Sequence, residues 1–102
     1  MNPVRNLAKI SNGINWRIDF SASSLKFLKK NNLEENFFID KIQLTLRKFK
    51  GENVNINIKK LSGEWEGFYR IRSGRLRIIA EFQFEQNRAY IEEIDWRGSS
   101  YK

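Results

Sequence analysis

Neither cysteine nor histidine occurs anywhere in the 102 residues. Without cysteine there is no disulfide, no thiol nucleophile and no thiolate metal ligand. A reducing cytosol suits such a chain, and a cytoplasmic location is expected. The lack of histidine excludes Ser-His-Asp triads, Cys-His dyads and imidazole-held zinc. Any catalysis must therefore move protons and charge with Lys, Arg, Tyr, Asp, Glu or the substrate itself. Proline occurs once, at Pro3. Apolar runs last only a few residues, far short of the roughly 20 that a membrane helix needs. No apolar secretory segment opens the chain. Neither a membrane partner nor a secreted fate is expected.

What is present is a basic, aromatic-rich sequence. Hydrophobic residues make up 40% and aromatics 14%, enough for a packed core. Nineteen Lys and Arg stand against twelve Asp and Glu, a formal charge of +7. That excess favours an anionic partner such as nucleic acid or an acidic protein.

Periodicity orders the chain. Residues 1–13 show little pattern and read as a loose arm, which leaves 14–102 as a single domain. "INWRIDF" alternates Ile14, Trp16, Ile18 and Phe20 with polar residues, the mark of a half-buried strand. "SASS" offers helix N-caps ahead of "LKFLKK", and "NN" closes that short helix. A second helix is predicted over 33–50, where Phe38, Ile42, Leu46 and Phe49 recur at helical spacing before Gly51. The period then changes to two in "VNINIKKL", "FYRIR", "LRIIAEFQF" and "AYIEEIDW". Strand, two helices and then further strands predict an α+β fold. Two helices cover one face of a roughly four-stranded antiparallel sheet, and the other face stays open.

"FYRIRSGRLRII" holds Arg70, Arg72, Arg75 and Arg77 around one turn. A two-residue loop at Ser73-Gly74 sets Arg72 against Arg75 and Arg70 against Arg77. A loop at Gly74-Arg75 sets Arg72 against Arg77. Either way the apolar residues share one side and the arginines share the other. Opposed like charges destabilise a sheet by about 0.2–1 kcal/mol per pair. A solvated, aggregation-resistant edge would tolerate that cost. Lysine would serve there equally well, whereas arginine presents a planar fork matched to two phosphate oxygens. An anion site is the favoured reading. From Lys59 to Arg77 there are six basic residues, Lys60 among them, and two acidic ones. Downstream, Trp96 and Tyr101 are aromatic; Trp96 reads as core and Tyr101 as a base-stacking ring or a frayed tail.

"KKLSGEWEGFYRIRSGRLRII" with the closing "IEEIDWRGSSYK" resembles the RelE/ParE superfamily of bacterial toxins. Its members show a leucine-glycine turn, "YRIR", a glycine turn, "R(I/V)I", and a final arginine followed four residues later by tyrosine. The likeness is good over 59–102 and looser through "WRIDFSASSLKFLKK" and the second helix. It implies a β-α-α-β-β-β plan and, on the RelE-like branch, an mRNA interferase of a type II toxin–antitoxin system. Such an enzyme cuts messenger RNA in the ribosomal A site by 2′-hydroxyl attack, with no metal or other cofactor. By this resemblance Arg77 stabilises the scissile phosphate, Arg97 is a second active-site arginine, and Tyr101 orients a base. Arg70 and Arg72 stand where relatives carry lysine or arginine, and Lys59, Lys60 and Arg75 contact RNA nearby. A cognate antitoxin is the implied protein partner, lying over the open face.

One departure stands out. Arginine stays protonated, so Arg70 and Arg72 are poor general bases. Glu81 or Glu93, a lysine at 59 or 60, or the ribosome must serve. Rival readings are a ParE-like gyrase poison without nuclease activity, a metal nuclease on Glu93 and Asp95 with Glu81, and a non-catalytic RNA-binding module. For the two acids on one strand, salt bridges to the arginines are the commoner arrangement.

Overall fold

Trp16, Ile18 and Phe20 are buried while Arg17 and Asp19 between them are not, so the period of two does build a strand. A computed structural model describes residues 6–9 and 15–97. Its strands are β1 (Asn6–Lys9), β2 (Asn15–Phe20), β3 (Asn57–Lys60), β4 (Phe68–Ser73), β5 (Leu76–Gln83) and β6 (Arg88–Trp96). Helices α1 (Ala22–Asn31) and α2 (Glu35–Phe49) lie between β2 and β3 in the chain.

The α+β class with two N-terminal helices is as expected, but the sheet differs in two ways. It has six strands in the order β1-β2-β6-β5-β4-β3, and it is mixed, because β2 runs parallel to β6. The parallel pair arises because both helices intervene before the chain returns, and only hairpin-joined neighbours must be antiparallel. The sixth strand is β1, inside the stretch read as a loose arm. Its backbone pairs antiparallel with β2, Asn6 to Ile18 through Lys9 to Asn15. A four-residue edge strand needs a partner's free amides more than a sequence pattern of its own.

One face of the sheet carries Ile18, Phe20, Ile71, Ile78, Ala80, Phe82, Ala89, Ile91 and Ile94, all buried. Against it pack Leu28 of α1 and Phe38, Ile42 and Leu46 of α2. Phe38 and Ile42 are fully buried, and Gly51 follows α2 at φ +94, as the helical spacing predicts. Trp96 joins this cluster beside Phe27, its indole N–H donating to Asn31 Oδ1 at 3.3 Å.

Ser21 caps α1 by accepting from the Ser24 N–H at 3.0 Å. The same serines tie the helix to β6: Ser21 Oγ donates to the Glu92 carbonyl at 2.7 Å and Ser24 Oγ to that of Ile91 at 3.2 Å. The register shifts at this place. Ile79 pairs with Glu93 but Ala80 with Ile91, so Glu92 has no opposite number. That bulge turns β6 carbonyls towards the helix cap. Among the described residues no helix is long and apolar enough to cross a membrane.

Candidate functional site

The β4–β5 hairpin decides where the arginines go. Ser73 pairs with Leu76, so the loop is Gly74-Arg75 and Arg72 stands directly opposite Arg77. The Ser73-Gly74 loop, with Arg70 opposite Arg77, is thereby corrected: Arg70 faces Ile79. The physical reason is the glycine. Gly74 has φ +59 and Arg75 has a negative φ, which suits a two-residue turn with glycine at its first central position. Ile71 meets Ile78 and Tyr69 meets Ala80 on the helix-covered face. Arg70, Arg72 and Arg77 share the open face.

Strand β3 adds to this group. Lys59 is in register with Arg70, and Asn57 with Arg72. Arg70 donates to Asn57 Oδ1 at 3.3 Å. Lys60 instead pairs with Tyr69 and so belongs to the other side of the sheet. The two neighbouring lysines thus part company, as the pleat demands. Arg75 is exposed at the tip of the hairpin.

Arg77 is held firmly. Its Nε donates to Asp95 Oδ1 at 3.2 Å and its terminal nitrogen to Oδ2 at 3.0 Å. The two residues are cross-strand partners, their side chains only 14% and 20% exposed. This parallel two-bond pair fixes the guanidinium plane and offsets the charge of Arg72 across the strand. The Nε of Arg72 is buried and has no hydrogen-bond partner among the described residues.

Arg97 sits one residue beyond β6. Its backbone N–H donates to the Arg75 carbonyl at 2.7 Å and its guanidinium to the Gly74 carbonyl at 2.8 Å. It therefore clasps the turn that carries the arginines and brings a fifth cation to that end of the open face. Tyr101 lies outside the described residues.

Of the carboxylates weighed as a metal cluster, Asp95 has another partner. Asp95 is engaged by Arg77, and among the described residues no three acidic side chains gather as a metal site would require. Glu81 pairs with Phe68 and Glu93 with Ile79, which puts both on the arginine face.

A second ionic group occupies the same face on β2 and β6. Asp19 accepts from Arg88 Nε at 3.1 Å and lies 3.8 Å from Arg17 Nε. Arg17 and Arg88 are register partners, and the shared carboxylate reconciles them. Next to them, burial pushes the Tyr90 phenol above its ordinary value of 10.0, with Glu92 adding to the rise and Arg88 opposing it.

Two features escaped sequence reasoning. The clamp on Arg77 needs the β5–β6 register, which no local pattern supplies. The other is an aromatic pair, Trp65 and Phe68, at the near end of β4. A tryptophan between two glutamates in a glycine-bounded turn was the available signal.

The chain matches no protein-family model and no curated protein. Its structure is nevertheless similar to several solved ones. A RelE–RelB complex from the archaeon Pyrococcus horikoshii aligns with a TM-score of 0.58 and 20% identity, over 82% of this chain and 97% of that one. A RelB–RelE antitoxin–toxin complex from Methanococcus jannaschii gives 0.53 and 23%, over 80% and 93%. A YoeB–YefM toxin–antitoxin complex from Staphylococcus aureus gives 0.54 and 20%, over 80% and 97%. Two helices on one face of a mixed sheet are thus set in a shared frame: the chain has a RelE-like fold.

Proposed function

We propose that this protein is the toxin of a type II toxin–antitoxin system and that it cleaves messenger RNA, at the ribosome, in the cytoplasm. The observation that carries the reading is the shared face of Lys59, Arg70, Arg72 and Arg77, with Arg97 fastened to the same hairpin. Opposing Arg72 and Arg77 across two strands costs stability, and a phosphate between them offsets that cost.

In the reaction the ribose 2′-oxygen attacks the adjacent phosphorus. The O2′–P bond forms and the P–O5′ bond breaks. The 2′-hydroxyl gives up its proton and the 5′-oxygen gains one, leaving a 2′,3′-cyclic phosphate. Arg77, oriented by Asp95, and Arg72 stabilise the charge that grows on the non-bridging oxygens. Arg97 supports them from the turn. Arg70 and Lys59 hold the neighbouring phosphate, while Arg75 meets RNA from the tip; Lys60, on the other side of the sheet, takes no part. Tyr101 orients a base. Glu81 or Glu93 takes the 2′ proton, since both stand on the arginine face and no arginine can. No step needs a metal. Type II antitoxins matched to such a site are acidic or amphipathic, and a segment of that kind would cover the open face.

The test is induction in growing cells with transcript ends mapped. Arg77→Ala should lower cleavage by about 10²–10³-fold, as loss of an oxyanion donor does. Because that change strands Asp95, Arg77→Lys is the companion variant: it keeps the charge and loses the fork. A fall of less than about threefold in both would remove Arg77 from the site. Intact transcripts together with blocked DNA supercoiling would replace this reading with a gyrase poison.

A further inference from the structure

The turn between β3 and β4 carries a feature that the cleavage chemistry leaves unused. Trp65 ends a short 3₁₀ turn, Gly63–Trp65, and is 41% exposed. Its ring meets that of Phe68 edge-on, with centroids 5.2 Å apart and planes at 89°. Phe68 opens β4 on the same face as Arg70 and Arg72. The other two tryptophans are occupied: Trp16 is 6% exposed in the core, and Trp96 packs on Phe27 while donating to Asn31. Trp65 alone of the three is an exposed ring, held at a fixed angle by a half-buried phenylalanine.

We propose that Trp65, braced by Phe68, is a stacking platform for a nucleobase of single-stranded RNA. This rests on the RNA-cleaving reading above and lengthens its footprint along β4. Phe68 is two residues from Arg70, about 7 Å along the strand. Arg70 faces Lys59 on β3, so a phosphate held by that pair leaves its attached base within reach of the indole. The surrounding acids select which part of the polymer sits there. Glu64 and Glu66 flank Trp65, and Glu81 is the register partner of Phe68. These carboxylates repel phosphate but not an uncharged base. Cations and aromatic ring thus alternate as the phosphates and bases of a single strand do. A polycationic partner meets Lys59, Arg70 and Arg72 within the same stretch and is repelled.

The platform is tested with a short 2′-O-methyl oligouridylate, which lacks the attacking hydroxyl and stays intact. Titration should quench tryptophan emission in the wild type, with binding that weakens as salt rises. Trp65→Leu keeps an apolar cover on Phe68 but has no π-face, and should weaken binding about five- to a hundredfold. Trp65→Phe should bind within about threefold of wild type while losing the quench. Equal affinity in the Leu and Phe variants, with salt-dependent binding intact, would overturn the platform alone. Quenching by an arginine-rich peptide and not by the oligonucleotide would assign the ring to a protein partner instead. No binding at any salt would bring down the RNA reading together with the platform, an outcome distinct from indifference to Trp65.

Discussion

Arg77 donates two hydrogen bonds to Asp95 across β5 and β6, and that pairing gives the carboxylate two jobs at once. The carboxylate holds the fork in place, yet it also competes with any phosphate for the same protons. Both effects belong to Asp95 and separate on substitution. Asp95→Asn keeps the shape and removes the charge. Stability should fall by about 1–3 kcal/mol, since a hydrogen bond between charged groups in a mostly buried setting is lost. Affinity for single-stranded RNA should rise severalfold, because a negative charge leaves the binding face. Chemical denaturation and oligonucleotide titration measure the two. A variant weaker in both would mean that Asp95 positions Arg77 more than it screens it.

The β4–β5 hairpin shows at the scale of an element how one residue sets a register. Gly74 adopts φ +59, and nothing stands within 4 Å of where its Cβ would be. Gly74→Ala therefore tests backbone conformation alone. It should cost about 1–2 kcal/mol, read from the thermal midpoint, and faster amide exchange in β4 and β5 should accompany it. Exchange rates unchanged from wild type would show that the Arg97 contacts to Gly74 and Arg75 hold the turn by themselves. The same hairpin marks the reach of sequence reasoning. Alternation in "FYRIRSGRLRII" suffices to sort arginines from isoleucines, because the pleat allows only two faces. It leaves the loop open by one residue, which the sign of a single φ decides. Phe38, Ile42 and Leu46 were legible for a similar reason, since a helix repeats its buried stripe locally. The parallel pairing of β2 with β6 and the Asp95 clamp were not, because each joins segments far apart in the chain.

Across the whole molecule the charge of +7 is unevenly placed. Asp19 quiets Arg17 and Arg88 at one end of the open face, while Lys59, Arg70, Arg72 and Arg77 gather towards the other with Asp95 as counter-charge. Three or four phosphates engaged there should give a log–log salt slope of roughly −2 to −3 for single-stranded RNA. Arg72→Ala should reduce its magnitude by about 0.7, one phosphate's worth. Binding measured across a salt series reads this directly, and a flat response would deny the face its anion.

Strand β6 lies between β2 and β5, so it joins the two halves of the sheet. Of the six described strands it is also the last in chain order. On a translating ribosome, β2 with α1 and α2 must wait beside the β3–β4–β5 meander until β6 emerges to unite them. Pairings between such distant segments form late and slowly. A nascent chain therefore lacks both Asp95 and Arg97 until β6 has been made, so Arg77 gains its carboxylate clamp and the β4–β5 turn its clasp only after the strands that carry them.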